Sequence, residues 1–524
     1  MNSGSQGSPL AVLATIFAMV MAVYVASSIL LEQGNQLAGL FYYVMLASGL
    51  MGVIAPRLSF GLFILQCAYL DLLKRLMVFA GTITLTDLFW VLGIAPVTIV
   101  GISAGLVLRV AFGKITADRG DIWRFLLAVA LNIALAVVIY RQGGGVGGTA
   151  REVANGSTYA LLLFIVPLLF RTPEAVANCT RFILLVFMPV AVYAVYQQIF
   201  GFQAFEVLYL KTGLSIEIKQ LEADRVRAFS TLNSPTSMSV VACSMAAMAM
   251  GLASVNKQWR SLGMSKILAM GIMIVCLVSW AATTVRAGLL LLPVALLGSY
   301  LFLRPSTTRW FYGVLFACFA ALVATSGYIY RNIEYWTYSL VDKWAGSLYV
   351  EQMINMNSYK DRLYGFFMVL SNPQAYSLFG LPETMQDSGL KGHDPISNAL
   401  VAFGVVPVGT ALLLGGWGMW SLHKVIFGMR NRGLQILAAS FLANAAGNVA
   451  VSIINGNLLG TFPVNVFFWV SLAFTITLRH ADRVLSARQA LEPAAAPAPL
   501  PGMRLRPPPG VSPGRFAPVP RLPR

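Results

Sequence analysis

Apolar runs of roughly 17–25 residues recur from one end of this chain to the other, each long enough to cross about 30 Å of hydrocarbon as a helix. Lipid offers no partner to a bare backbone N–H or C=O, so segments of this kind must satisfy those groups internally. With 57% of its residues apolar and only 11% charged, the chain departs strongly from soluble usage. The expected fold is an all-α, polytopic helical membrane protein.

The predicted spans are about Leu10–Leu31, Leu37–Pro56, Leu58–Ala80, Asp87–Leu108, Phe125–Tyr140, Ser157–Phe170 and Phe182–Phe200 in the first part of the chain. They continue at about Thr236–Val255, Ile267–Val285, Ala287–Leu303, Trp310–Tyr330, Ile396–Trp420, Leu434–Ile453 and Thr461–Leu478. That makes about 14 transmembrane helices, or about 12 if the weakest segments do not cross. Leu10–Leu31 is too long, and lacks the basic leader, for a cleaved signal. Leu58–Ala80 carries Asp71, Lys74 and Arg75, so it either spans or lies at the interface. The run RQGGGVGG places Gly143, Gly145 and Gly148 in a GxGxxG pattern, but a membrane helix precedes it where a nucleotide fingerprint needs a strand. It is read as a flexible loop.

A formal charge of +17 suggests nucleic acid in a soluble protein. No basic patch interleaved with aromatics occurs here, so nucleic acid is not an expected partner. Topology accounts for the surplus, because cytoplasmic loops accumulate Lys and Arg. Alternate loops hold Arg57; Arg109 to Arg124; Arg171 and Arg181; Lys257, Arg260 and Lys266; Arg304 and Arg309; and Lys424, Arg430 and Arg432. These loops and both termini are assigned to the cytoplasm. The two long intervals, 201–235 and 331–395, have balanced charge and fall on the outer side.

The expected organisation is a transmembrane domain over residues 1–480, containing one large, late periplasmic loop at 331–395. Residues 481–524 follow as a tail whose proline density favours extended, solvated conformations. Arg488, Arg504, Arg506, Arg515, Arg521 and Arg524 give that tail a means of touching anionic membrane lipids. The five cysteines are isolated from one another in or beside apolar runs, as packing residues are.

The outer side gathers Arg227, Arg286, Arg362 and His393 from separate segments. Guanidinium forks hold phosphate bidentately and stay charged, whereas imidazole titrates near neutrality and can take a hydroxyl proton. His423 and His480 fall beside Lys424 and Arg479 on the basic side and are read as bystanders. No HExxH, DxD, P-loop, GxSxG or paired-cysteine site occurs, so neither metal nor cofactor is expected.

Three features together resemble the O-antigen ligase and O-antigen polymerase superfamily of bacterial envelope polysaccharide glycosyltransferases. His393 and Gly404 fit a His-x10-Gly motif at the junction of the large loop and the next helix. Arg286 and Leu290 fit an Arg-x3-Leu motif at the outer end of a helix, and DRVRAFSTLNSP, with Arg227, is similar to the arginine-then-asparagine stretch. The resemblance covers roughly residues 225–478. One departure is Asp394, which stands where the family commonly has asparagine after the motif histidine.

The resemblance implies a GT-C-like, metal-independent glycosyltransferase of the bacterial inner membrane, with its site facing the periplasm. Its donor would be an undecaprenyl-diphosphate-linked oligosaccharide. Arg227, Arg286 and Arg362 would hold the diphosphate and His393 would activate the acceptor, with Arg286 assisting catalysis. Asp394 would either orient His393 or serve as the base in its place, and Leu290 and Gly404 would be structural. Polymerisation of lipid-linked repeat units for O-antigen or exopolysaccharide is the leading reading, and ligation of the glycan to lipid A-core is its sibling. A chain-length regulator and other polysaccharide assembly proteins are implied as partners. The rival from another class is a lipid-linked oligosaccharide flippase or transporter, for which Asp71, Lys74 and Arg75 are the main features.

Overall fold

The computed structural model of the protein describes residues 36–79, 87–141, 145–212, 227–255, 261–285, 287–304, 395–455 and 460–491. It also describes the turn 377–380 and a few isolated positions. These residues are 85% helical, with no strand.

In chain order the helices are α1 (Gln36–Ile54), α2 (Pro56–Phe79), α3 (Asp87–Ala111), α4 (Arg119–Arg141), α5 (Gly145–Asn155) and α6 (Leu162–Leu169). They continue with α7 (Pro173–Phe200), α8 (Ala204–Lys211), α9 (Pro235–Ala253), α10 (Lys266–Ala282) and α11 (Ala287–Leu301). The last four are α12 (Pro395–Phe403), α13 (Val405–Phe427), α14 (Arg432–Asn455) and α15 (Val464–Leu491). Among the described residues seven helices are long and apolar enough to cross a membrane, lying within α3, α4, α7, α9, α13, α14 and α15. An eighth crossing results if the bent pair built from α5 and α6 is one span. The protein is a multi-pass helical membrane protein. The predicted span Leu10–Leu31 lies outside the described residues, as do Trp310–Tyr330 and the large loop except for isolated positions and the turn 377–380.

Packing follows the small residues. Gly101 and Gly105 of α3 form a GxxxG face against Gly49, Gly52 and Val53 of α1. A Cβ on Gly52 would sit 2.6 Å from the Ile102 nitrogen, so these helices touch backbone to backbone, as small-residue faces allow. The most enclosed helix is α9, with sequence PTSMSVVACSMAAMAMGLA, whose small and flexible side chains admit α7, α10, α11, α14 and α15 around it. Amides bind the centre: Asn448 Nδ2 donates to Ser244 Oγ at 3.2 Å and Asn444 Nδ2 to Ser471 Oγ at 2.9 Å. Cys67, Cys179, Cys243 and Cys276 are free and buried, and Cys318 lies outside the described residues.

Three expectations change. The glycine run is not loop throughout, because α5 starts at Gly145 and Thr149 Oγ1 bonds back to the Gly145 carbonyl at 2.6 Å. The predicted span Ser157–Phe170 is a 3-10 turn (Ser157–Leu161) leading into the short α6, and together they meet α5 at 45°. The predicted span Ile396–Trp420 breaks at Gly404 into α12 and α13. In addition, α15 runs on to Leu491, past the expected domain boundary at 480. Asp482 anchors that extension by accepting from the Arg430 and Asn431 amides at 3.0 and 2.9 Å, and residues 492–524 lie outside the described residues.

Hydrogen bonds separate the two ends of the bundle. Arg109 donates to the Ile54 carbonyl, Arg171 to Thr116, and Arg181 to the Ser261 and Gly263 carbonyls. Each of these bonds, like those of Asp482, joins two segments of the basic set. The bonds at the other end join the far ends of α2 and α7, α8, the stretch 227–234 and the turn after α10.

Candidate functional site

The stretch Arg227–Ser234 enters this second end as irregular backbone, and it is buried. Ala228, Phe229, Ser230 and Leu232 are fully shielded, and Thr231 and Ser234 nearly so. Such a segment needs protein partners for its amides and carbonyls, since an unpaired buried polar group costs about 1–3 kcal/mol. Ser234 supplies the first by capping α9, its Oγ accepting from the Ser237 amide at 3.2 Å with Pro235 in the first helical position.

The remainder come from α7, α8 and the far end of α2. Gln197 Oε1 accepts from the amides of Phe229 (3.1 Å) and Ser230 (2.6 Å), and Gln197 Nε2 donates to Glu206 Oε1 at 2.6 Å. Arg75 sends Nη1 to the Ser230 carbonyl (2.7 Å) and to Glu206 Oε1 (3.3 Å), and Nη2 to the Leu232 carbonyl. Its guanidinium also lies 4.5 Å from the centre of the Phe229 ring, which packs on Phe202 from another side. Glu206 serves α8 as well, accepting from the Gln203 amide at 2.9 Å in a capping box. The polar cluster of α2 is therefore structural in its visible contacts: Lys74 pairs with Asp71 at 2.7 Å, and Arg75 with Glu206.

Arg227 stands at the mouth of this buried stretch. Its Nε donates to Thr284 Oγ1 at 3.0 Å, and the next amide, Ala228 N–H, donates to the Ala282 carbonyl at 3.2 Å. Thr284 belongs to the tight turn between α10 and α11. Val285 is held there by its carbonyl, which accepts from Trp280 Nε1 (2.8 Å) and Ser239 Oγ (3.2 Å). Gly288, one residue into α11, presses on Ser239 so closely that no side chain fits. The loop of Arg227 and the turn that flanks position 286 are thus one packed unit. Among the described residues the only non-glycine positions with positive φ are Ser230 (57°) and Thr284 (55°), one on each side of it. Backbone of this kind costs about 1–3 kcal/mol and persists only where surroundings over-determine it, most often at sites of function.

Leu290 lies half-buried on the second turn of α11. Gly404 separates α12 from α13 with φ 85°, and a Cβ there would lie 2.6 Å from the Leu378 carbonyl carbon. The turn 377–380 caps α13, because Val405 N–H donates to Ser377 O and Val406 N–H to Leu378 O, each at 3.1 Å. The structure thus joins Arg227 to the neighbours of position 286, and Gly404 to the close of the large interval. Arg286, Arg362, His393 and Asp394 themselves lie outside the described residues, though α12 begins at Pro395, immediately after Asp394.

The other two histidines sit elsewhere. His423 is buried against the rings of Phe302, Trp420 and Phe427, and His480 Nδ1 lies 3.4 Å from Asp118 on the basic side. A cavity of about 100 Å³ between Thr116, Asp118, Arg124, Arg171 and His480 opens on that basic side, away from Arg227.

Sequence reasoning missed Glu206 and Gln197, two ordinary polar residues among many, and read Arg75 without its partners. No family model, characterised protein or solved structure matches this chain.

Proposed function

We propose that the protein is an inner-membrane polysaccharide polymerase of GT-C-like architecture, working at the periplasmic face. It transfers glycan from undecaprenyl diphosphate to an acceptor hydroxyl of a lipid-linked repeat unit. The observation that carries this reading is Arg227, a cation at the mouth of a buried stretch, bonded to Thr284 two positions before residue 286 in the sequence, at the bundle end opposite the basic loops.

The chemistry asks for little more. Attack of the acceptor oxygen on the anomeric carbon forms the new glycosidic bond as the bond from that carbon to the phosphate oxygen breaks. The electron pair leaves with undecaprenyl diphosphate, whose growing charge Arg227, Arg286 and Arg362 neutralise without a metal. The acceptor proton passes to His393, or to Asp394 if that carboxylate is the base. Because Asp71, Lys74 and Arg75 bond to one another and to Glu206, the features that favoured a transporter have another explanation.

The test uses purified protein in detergent with undecaprenyl-diphosphate repeat units as sole substrate. A ladder of longer glycans supports the polymerase. Product only after addition of lipid A-core makes the protein a ligase with the same site. No product in either assay, from folded protein and the correct repeat unit, overturns the reading.

A further inference from the structure

Arg75, Glu206 and Gln197 are buried, and Arg75 and Gln197, both bonded to Glu206, bind the segment that carries Arg227. We infer that this buried triad is a positioning device for Arg227, setting its place beside the Thr284 turn. The inference rests on reading Arg227 as a ligand for the donor diphosphate.

The geometry is specific. Arg75 and Glu206 are 1% and 0% exposed at the side chain, a burial that two charges tolerate only with close pairing and further hydrogen bonds. The two charges pair with each other at 3.3 Å, and the further bonds of Arg75 go to the Arg227 segment while those of Glu206 come from Gln197, Tyr193 and the Gln203 amide. The Arg75 fork spans two carbonyls, Ser230 and Leu232, while Gln197 holds the amides of Phe229 and Ser230. Glu206 links these two clamps, accepting from both Arg75 and Gln197, with Tyr193 Oη at 3.2 Å. Residues 229–232 are thereby fixed with Ser230 at φ 57°, a conformation the chain would not hold unaided. Position 227 is two residues upstream. A core that needed only packing would be served by apolar side chains, whereas this one meets the hydrogen-bonding requirements of the 229–232 loop and of the start of α8. Lysine cannot replace Arg75, because an ammonium is a point charge without the planar fork.

The experiment reads position first and activity second. A cysteine pair, Arg227→Cys with Thr284→Cys, is bridged in membranes by a short bis-thiol crosslinker that spans the reach of the lost arginine side chain, and the crosslink is quantified by mass spectrometry. The pair forms readily in the parent and about tenfold more slowly when Glu206→Gln or Arg75→Lys is added. In a separate series without the cysteines, glycan transfer falls by about 10²-fold in Glu206→Gln. The same change adds no further loss in an Arg227→Ala background, because both changes remove one function. An unchanged crosslinking rate overturns the inference, and so does a full additional loss on top of Arg227→Ala. If crosslinking slows while Arg227→Ala transfers glycan normally, the positioning stands and the diphosphate role of Arg227 fails. Should Glu206→Gln not fold, Gln197→Ala carries the same test, since it removes the acceptor for two loop amides and leaves the ion pair.

Discussion

Arg227 and Thr284, 57 positions apart in the chain, are joined through Nε and Oγ1 at 3.0 Å. The bond uses the inner guanidinium nitrogen, and among the described residues no bond engages the two outer ones. In an arginine those outer nitrogens are the pair that can form a bidentate fork on a phosphate.

Removing the fork should therefore cost transfer rather than stability. Arg227→Ala is expected to lower kcat/KM by about 10²–10³-fold, and Arg227→Lys to recover only part of it. Thr284→Val, which removes the acceptor alone, is expected to cost about 1 kcal/mol of transition-state stabilisation, near fivefold in rate. Steady-state kinetics on a defined donor measure all three. Equal losses for the alanine and valine variants would place Arg227 outside the diphosphate site.

His393 and His423 should separate cleanly. His393→Ala is expected to reduce transfer by about 10²–10⁴-fold, the range of a general base. His423→Phe is expected to leave transfer unchanged, because His423 packs among the rings of Phe302, Trp420 and Phe427 at the bundle end of the basic loops, away from Arg227. If Asp394→Asn abolishes transfer while His393→Ala does not, the carboxylate is the base.

Gly404 tolerates no side chain. Gly404→Ala combines a positive φ with contact against the backbone of Leu378 and Phe379, and should destabilise the fold by about 1–3 kcal/mol or more. Thermal unfolding in detergent detects this as a lower Tm. An unaltered Tm would mean that the α12–α13 break is not locked by the turn 377–380.

The α1–α3 contact gives an internal control far from the site. Gly101→Leu forces apart helices that meet backbone to backbone, and should cost about 1–3 kcal/mol by overpacking. Residual folded protein should transfer glycan at the normal rate per molecule, measured after size-exclusion purification.

How much of this was legible beforehand depended on the range of the signal. Membrane spans write themselves locally as apolar runs, so most of the helices seen here were expected. Breaks within a run were less visible: Gly404 ends α12 because a turn some 25 residues upstream occupies the space of its missing side chain. The motif glycine was noted, but its effect on the span was not. The buried clamp was hidden for a different reason. Arg75 and Glu206 are 131 residues apart, and no periodicity within α2 or α8 encodes which carboxylate an arginine will find. Charged residues in α2 were conspicuous and gave the transporter reading its main features, but their partners were not legible in the sequence. The neighbourhood of Arg227 and position 286 was expected from topology alone, which places both at the same end of the bundle.

The buried stretch from Ala228 to Leu232 has one further consequence. A loop whose amides were satisfied by water would draw a hydrated thread into the bilayer, and protons follow such threads. Here the carbonyls of Ser230 and Leu232 and the amides of Phe229 and Ser230 are bonded by Arg75 and Gln197 instead. The bundle can bring Arg227 to the end opposite its basic loops with these backbone groups satisfied by protein rather than by water.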